Sequence, residues 1–208
     1  SKYLNNIIVA TTTNPADLEI KKWCEKENID CFMGSESNVL DRYYQCALKF
    51  KSQIIVRITA DDPFKDYQLL DNVVEKLIAG NLDFVFNNSP ASYPEGLDIE
   101  AFTFNSLKQA VLSTQDAFEC EHMTQYLHRN PQIFKSLNFK NNEDLSTLRW
   151  TIDTQEDYDM ACQVYNELYT PNKPVFLTKD ILTLLQKKPE IIEINSNVKR
   201  SLMYIKNI

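Results

Sequence analysis

The residues best suited to chemistry lie in short polar segments that follow apolar runs. Arg57-Ile58-Thr59-Ala60-Asp61-Asp62-Pro63 closes the most strand-like stretch of the sequence. A carboxylate at Asp61 suits Mg²⁺, which binds through one or two carboxylates plus substrate phosphates. Arg57 sits on the same strand, and its planar fork suits a phosphate. A turn, or the cap of a helix beginning near Asp66, explains Asp61 and Asp62 equally well. In Arg149-Trp150-Thr151-Ile152-Asp153-Thr154-Gln155-Glu156-Asp157, Thr154 and Asp157 form a T-x-x-D helix cap. That cap leaves Asp153 unexplained and makes it a second candidate metal ligand, although on spacing alone the simpler reading is favoured. In Tyr93-Pro94-Glu95-Gly96-Leu97-Asp98-Ile99-Glu100, Asp98 and Glu100 share one face of an extended strand. They suit sugar hydroxyls, and a solvated strand edge gives the same pattern. Gly34-Ser35-Glu36-Ser37 leads into a helix carrying Arg42. Helix N-termini attract anions, yet a plain capped helix fits as well. Glu121 and His122 either reach a ligand or line the polar side of an amphipathic helix.

These segments need a scaffold, and the first 90 residues supply an alternating one. Asn6–Thr12, Ile29–Met33, Gln53–Thr59 and Leu82–Asn87 read as strands. Pro15–Asn28, Ser37–Lys51 and Asp66–Ala79 read as helices, with Asn14-Pro15 and Ser37 as caps and Gly80 as a terminator. The order implies a parallel sheet covered by helices, with ligands beyond the carboxyl ends of the strands. The continuous Ile54-Ile55-Val56 run suits a strand buried on both faces. Beyond residue 90 the expected elements are strands at Leu97–Phe104, Ile133–Lys140 and Leu145–Ile152. Helices are expected at Asn105–Thr114, Asp116–Arg129, Thr154–Leu168 and Lys179–Lys187.

Composition narrows the chemistry further. There are only three glycines, and the closest pair, Gly80 and Gly96, is 16 positions apart. Neither a P-loop nor a dinucleotide fingerprint can be written from them. A net charge of −7 argues against nucleic acid or an anionic membrane as the main partner. The apolar runs are too short to span a bilayer and the start has no secretory core, so a cytoplasmic location is expected. Five cysteines without a C-x-x-C read as free thiols in a reducing compartment. His122 and His128 are too far apart for a metal pair on one helical face.

Taken in order, these segments resemble one family. They are Val9-Ala10-Thr11-Thr12-Thr13-Asn14-Pro15, G-S-E-x-x-V-L-D-R-Y at 34–43, R-I-T-A-D at 57–61 and Y-P-E-G-L-D-I-E at 93–100. E-H-M-T-Q-Y at 121–126, R-W-T-I-D-T-x-E-D at 149–157 and the tail Leu185–Arg200 complete the set. The sequence resembles the spore-coat polysaccharide biosynthesis protein F group, relatives of CMP-Kdo synthetase and acylneuraminate cytidylyltransferase. The resemblance implies a three-layer, Rossmann-like α/β fold with a mostly parallel sheet, of the nucleotide-diphospho-sugar transferase type. It implies transfer of a nucleotidyl group, cytidylyl in this family, from an NTP such as CTP to a sugar acid or sugar phosphate, with release of pyrophosphate. Mg²⁺ is then expected on Asp61 and Asp153, with Arg57 beside them in catalysis. Thr11, Thr12, Gly34 and Arg42 border the nucleotide, while Asp98, Glu100, Glu121 and His122 face the sugar. The expected organisation is a single domain over 1–208, with 97–150 contributing sugar binding and a homodimer contact. The family's opening strand, Gly-rich triphosphate loop and helix have no counterpart in the sequence, which predicts a piece of a longer chain with little turnover alone. A shortened, non-catalytic dimeric binding module is the alternative, and a glycosyltransferase of related architecture a third reading.

Overall fold

The computed structural model describes residues 1–199, so Arg200 of the tail motif lies outside the described residues. The chain condenses into two compact units. One comprises Ser1–Val56, Val74–Val85 and Ala101–Leu137; the other comprises Arg57–Val73, Phe86–Glu100 and the residues from Asn138 on. Each gathers three separated stretches, which is why no linker is visible in the sequence.

In the first unit, β1 (Ile8–Thr12) and β2 (Asp30–Gly34) pair in parallel, with Ile8 opposite Asp30 and Thr12 opposite Gly34. A 3₁₀ turn at Pro15–Asp17 leads into α1 (Leu18–Glu27), and Asn14 caps that turn by accepting from the Ala16 N–H. The cap of α2 (Val39–Phe50) is Asn38 rather than the expected Ser37: its side chain accepts from the Asp41 N–H. Ser35 instead supports the turn, accepting from the Asn38 N–H.

A second sheet runs in the order β3 (Ile54–Arg57), β5 (Glu100–Thr103), β4 (Phe84–Phe86), β6 (Ser136–Asn138). The α/β class is as the alternation predicts, but the strands divide into two sheets and β5 enters between β3 and β4. That order leaves β3 at an edge. Ile54 is therefore 36% exposed, against the expectation of burial on both faces. The buried strands are the interior ones, with Phe84, Val85, Ala101 and Phe102 all at 0% exposure. Phe84 meets Phe102 and His128 edge-on at 6.5 and 4.8 Å.

The remaining helices are α3 (Tyr67–Ala79), α4 (Phe104–Ser113), α5 (Ala117–Glu121), α6 (Gln125–Arg129), α7 (Gln155–Leu168), α8 (Thr178–Lys187) and α9 (Glu190–Glu193). After α3 the left-handed residue is Asn81, with φ 45°, one position beyond Gly80. The expected Ile133–Lys140 strand shrinks to β6, because Ile133 and Phe134 donate back to the Asn130 carbonyl in a turn. The expected strand over Leu145–Ile152 does not form. Its first half is a turn closed by the Leu148 N–H on the Leu145 carbonyl, and only Arg149 bridges a neighbour, Glu95. No helix among the described residues is long and apolar enough to cross a membrane. The cysteines are free, with Cys24 and Cys46 buried; burial pushes the Cys46 thiol up to about 11.

Candidate active site

The second unit collects Arg57, Asp61, Asp98, Glu100 and Asp153. Asp61 lies in the turn after β3, and Asp153 immediately precedes α7. They are far apart in sequence, and one backbone hydrogen bond joins their segments: the Ile152 N–H donates to the Asp61 carbonyl over 2.9 Å. Aromatic packing holds the same two segments from beneath. Phe64 stands edge-on to Trp150 at 6.1 Å and stacks on Tyr165 at 5.6 Å, and Trp150 is 1% exposed. Burying the Phe64 ring contributes roughly 1.5–3 kcal/mol. Both carboxylate-bearing residues stay exposed above this cluster.

Asp153 is not solitary. Its Oδ2 accepts from Arg149 Nη2 at 2.6 Å. Arg149 is in turn gripped by Asp157, through Nε to Oδ1 and Nη2 to Oδ2, both 2.9 Å, and Glu95 Oε2 lies 3.1 Å from its Nη1. The Arg149 side chain is 8% exposed and that of Asp157 0%. Burial pushes the Asp157 carboxyl up, but the hydrogen bonds of Arg149, Asn195 and the Asp153 N–H outweigh it and bring it down to about 2. Burial likewise opposes the charge on Arg149, and its bonds to Asp157 and Asp153 more than restore it, so the guanidinium is held charged. Asn195 Nδ2 closes the knot, donating to the Arg149 carbonyl and to Asp157 Oδ1. The predicted cap is present: Thr154 accepts from the Asp157 N–H and Asp157 accepts from the Thr154 N–H.

Gly96 explains how Glu95 approaches Arg149. It adopts φ +98°, and a Cβ there would stand 2.7 Å from the Thr151 nitrogen and the Trp150 carbonyl carbon. Only glycine tolerates that backbone and that approach.

Glu100 and Asp98 divide. Glu100 is 2% exposed and its carboxylate takes Arg57 Nη1 at 2.7 Å. The residue expected to face a sugar is thus buried and ion-paired with Arg57. Asp98 is half-buried, and the backbone around it is fixed on both sides. Fully buried Asn87 donates to the Leu97 carbonyl and accepts from the Ile99 N–H, while Lys65 Nζ donates to the Asp98 carbonyl. Asp62 takes the other side of that pattern, accepting from Thr59 and Lys65. Of the two adjacent aspartates, Asp62 is thus the structural one.

The nucleotide candidates, together with Glu121 and His122, belong to the first unit. Thr11 and Thr12 both direct their hydroxyls to Asp17 Oδ2 at 2.6 Å, and the Thr12 N–H joins them at 2.9 Å. These bonds, the Thr11 hydroxyl foremost, hold the Asp17 carboxyl below its ordinary range. Two of the expected nucleotide donors are therefore already engaged with a carboxylate of their own unit. Gly34 closes β2 where a Cβ would lie 2.9 Å from Arg42 Cγ, and Arg42 Nη1 donates to the Ser35 carbonyl. Glu121 ends α5, and His122 caps that helix with its ring edge-on to Phe118 at 4.4 Å.

Among the described residues, no group of three or more His, Cys, Asp and Glu side chains is arranged to hold a metal ion. Asp61 and Asp153 each present an exposed carboxylate, the kind of hard oxygen donor that Mg²⁺ takes together with waters and phosphate oxygens.

The sequence matches the profile of a family described as Cytidylyltransferase over residues 1–197. The chain belongs to the cytidylyltransferase family. An uncharacterised protein of Methanocaldococcus jannaschii is 36% identical over 202 residues, 96% of this chain and 81% of the relative. Spore coat polysaccharide biosynthesis protein SpsF of Bacillus subtilis is 27% identical over 190 residues, 89% of this chain and 77% of the relative. A solved cytidylyltransferase from Leptospira borgpetersenii superposes with a TM-score of 0.87 at 30% identity, covering 97% of this chain and 83% of that one. The structure of CMP:2-keto-3-deoxy-manno-octonic acid synthetase complexed with CTP has a TM-score of 0.57 at 14% identity, covering 79% and 82%, a likeness of fold. This cytidylyltransferase thus has the nucleotide-diphospho-sugar transferase fold that its motifs imply.

Proposed function

We propose that this cytidylyltransferase transfers the cytidylyl group of CTP to a sugar acid or sugar phosphate in the synthesis of surface polysaccharide or glycoconjugate. The acceptor oxygen attacks the α-phosphorus in line. The bond from that phosphorus to the pyrophosphate oxygen breaks, pyrophosphate leaves, and a hydroxyl acceptor loses its proton. Positioning and charge neutralisation carry most of such a transfer. The observation that supports this reading is the junction of Asp61 and Asp153 through the Ile152 N–H. Asp61 and Asp153 would hold Mg²⁺, which supplies positive charge against the phosphates when bound. Arg57, steadied by Glu100, is the phosphate-facing cation of this reading, and Asp98 the sugar-facing carboxylate. Sugar hydroxyls suit Asp98 because its backbone is immobilised on both sides. The SpsF relative, by its name, supports a polysaccharide setting. A homodimer using residues 97–150 belongs to the same reading, and sedimentation velocity tests it.

The decisive test is calorimetric binding of CTP, ATP, GTP and UTP with Mg²⁺, joined to pyrophosphate release over a panel of sugar acids and sugar phosphates. CTP should bind best, and both Asp61→Ala and Asp153→Ala should weaken its Mg²⁺-dependent binding on the order of tenfold or more. CTP binding indifferent to Mg²⁺ and to both substitutions would sink the proposal. No clustered glycines are present in the 208 residues to wrap a triphosphate, so slow pyrophosphate release from them is expected.

A further inference from the structure

We propose that Arg149 is a positioning residue that fixes Asp153 as a one-oxygen metal ligand and so sets the preference for Mg²⁺ over Ca²⁺. The inference rests on the metal reading above and goes beyond it. The Asp153 carboxylate is 54% exposed, yet its Oδ2 is already committed to Arg149 Nη2 at 2.6 Å. One lone pair of that oxygen is taken and a guanidinium charge stands beside it, so a cation is better placed on Oδ1.

The guanidinium that imposes this cannot follow the carboxylate if it moves. It is clamped through two bonds by fully buried Asp157, faced by Glu95 and anchored through its own carbonyl by Asn195. The Asp153 backbone is fixed as well, because its N–H donates to Asp157 Oδ2 at 3.1 Å. Both ends of the Asp153 side chain are therefore tied to one buried aspartate, directly at the backbone and through Arg149 at the carboxylate. Such a fixed, single oxygen suits Mg²⁺, whose octahedron is small and strict. Ca²⁺ is larger and readily takes both oxygens of one carboxylate. A lysine in place of Arg149 would keep a positive charge but lacks the fork that serves Asp157 and Asp153 together.

The test is Mn²⁺ binding to the 208-residue chain in the presence of CTP, followed by electron paramagnetic resonance and competed with Mg²⁺ or with Ca²⁺. The ratio of the two competitors' affinities is the readout, which a merely structural role of Arg149 would not move. Arg149→Lys is expected to keep Mn²⁺ binding and shift the ratio toward Ca²⁺ by about tenfold, the scale of ligand-supporting residues at metal sites. Asp153→Glu breaks the constraint from the exposed side, by carrying the carboxylate outward, and is expected to shift the ratio the same way. It carries the test if Arg149→Lys does not fold. A wild-type ratio in both folded variants, while Asp153→Asn loses Mn²⁺, overturns the role of Arg149 alone. Unaltered Mn²⁺ binding by Asp153→Asn overturns the metal reading and the inference with it.

Discussion

Two aspartates organise the two units, and they do so under opposite conditions. Asp17 in the first unit gathers the hydroxyls of Thr11 and Thr12 and the Thr12 N–H from a half-buried position. Asp157 in the second unit gathers Arg149, Asn195 and the N–H groups of Asp153 and Thr154 while fully buried. The half-buried hub is built from neutral donors close in sequence, so losing one of them strands no charge. The buried hub contains an ion pair, and removing one partner strands a charge without solvent. The two sets of hydrogen bonds therefore carry different weight, and the unit holding Asp61 and Asp153 has the less forgiving support.

The largest expected effect is at Arg149. Arg149→Met should destabilise the fold by about 3–5 kcal/mol, because Asp157 is left buried without its cation. Urea unfolding measures this, and a loss below about 1 kcal/mol would show that Asp157 is solvated after all.

Acid should separate the two regions next. Asp157 is brought from 3.8 to about 2 in the folded protein, so it binds its proton less readily than in the unfolded chain. Its contribution is complete above the unfolded value and is lost as pH falls through the folded one. Stability should fall by about 2 kcal/mol between roughly pH 4 and pH 2 on this account. The loss should vanish in Asp157→Asn, as measured by urea midpoints across that window.

Gly96→Ala should cost about 1–3 kcal/mol, since the residue has positive φ and no room for a Cβ. A thermal melt checks it. The smallest effect is expected at Asp17: Asp17→Asn should lower the melting temperature less than Asp157→Asn. A reversal of that order would break the comparison between the hubs.

Much of the scaffold could be read from the residues. Periodicity located α2, α3, α7 and α8, and the Thr154–Asp157 spacing gave the helix cap in advance. The strands were harder, because an apolar run records burial but not neighbours. Ile54-Ile55-Val56 reads as an interior strand, and only the order β3-β5-β4-β6 places it at an edge. Of the candidate site, spacing leaves Asp153 outside the Thr154–Asp157 cap, and only the family resemblance joins it to Asp61. Glu100 pairs with Arg57 and the two threonines with Asp17, contacts that spacing does not reveal. Asp17 and Asn195 were missed altogether. The only signals were an acidic residue in a first helical turn and an asparagine in the tail motif.

The sequence by itself determined the class of chemistry. Motifs in a fixed order named a nucleotidyl-transferring family, and three scattered glycines excluded a phosphate loop within these residues. Local patterns can do this because caps, turns and helical faces depend on near neighbours. The tertiary structure decided which polar groups meet. The Asp61 carbonyl meets the Ile152 N–H across the chain, Glu100 meets Arg57, and Asp153 meets an Arg149 that is buried and clamped by Asp157. Those outcomes depend on burial and on partners distant in sequence, which residue spacing does not encode.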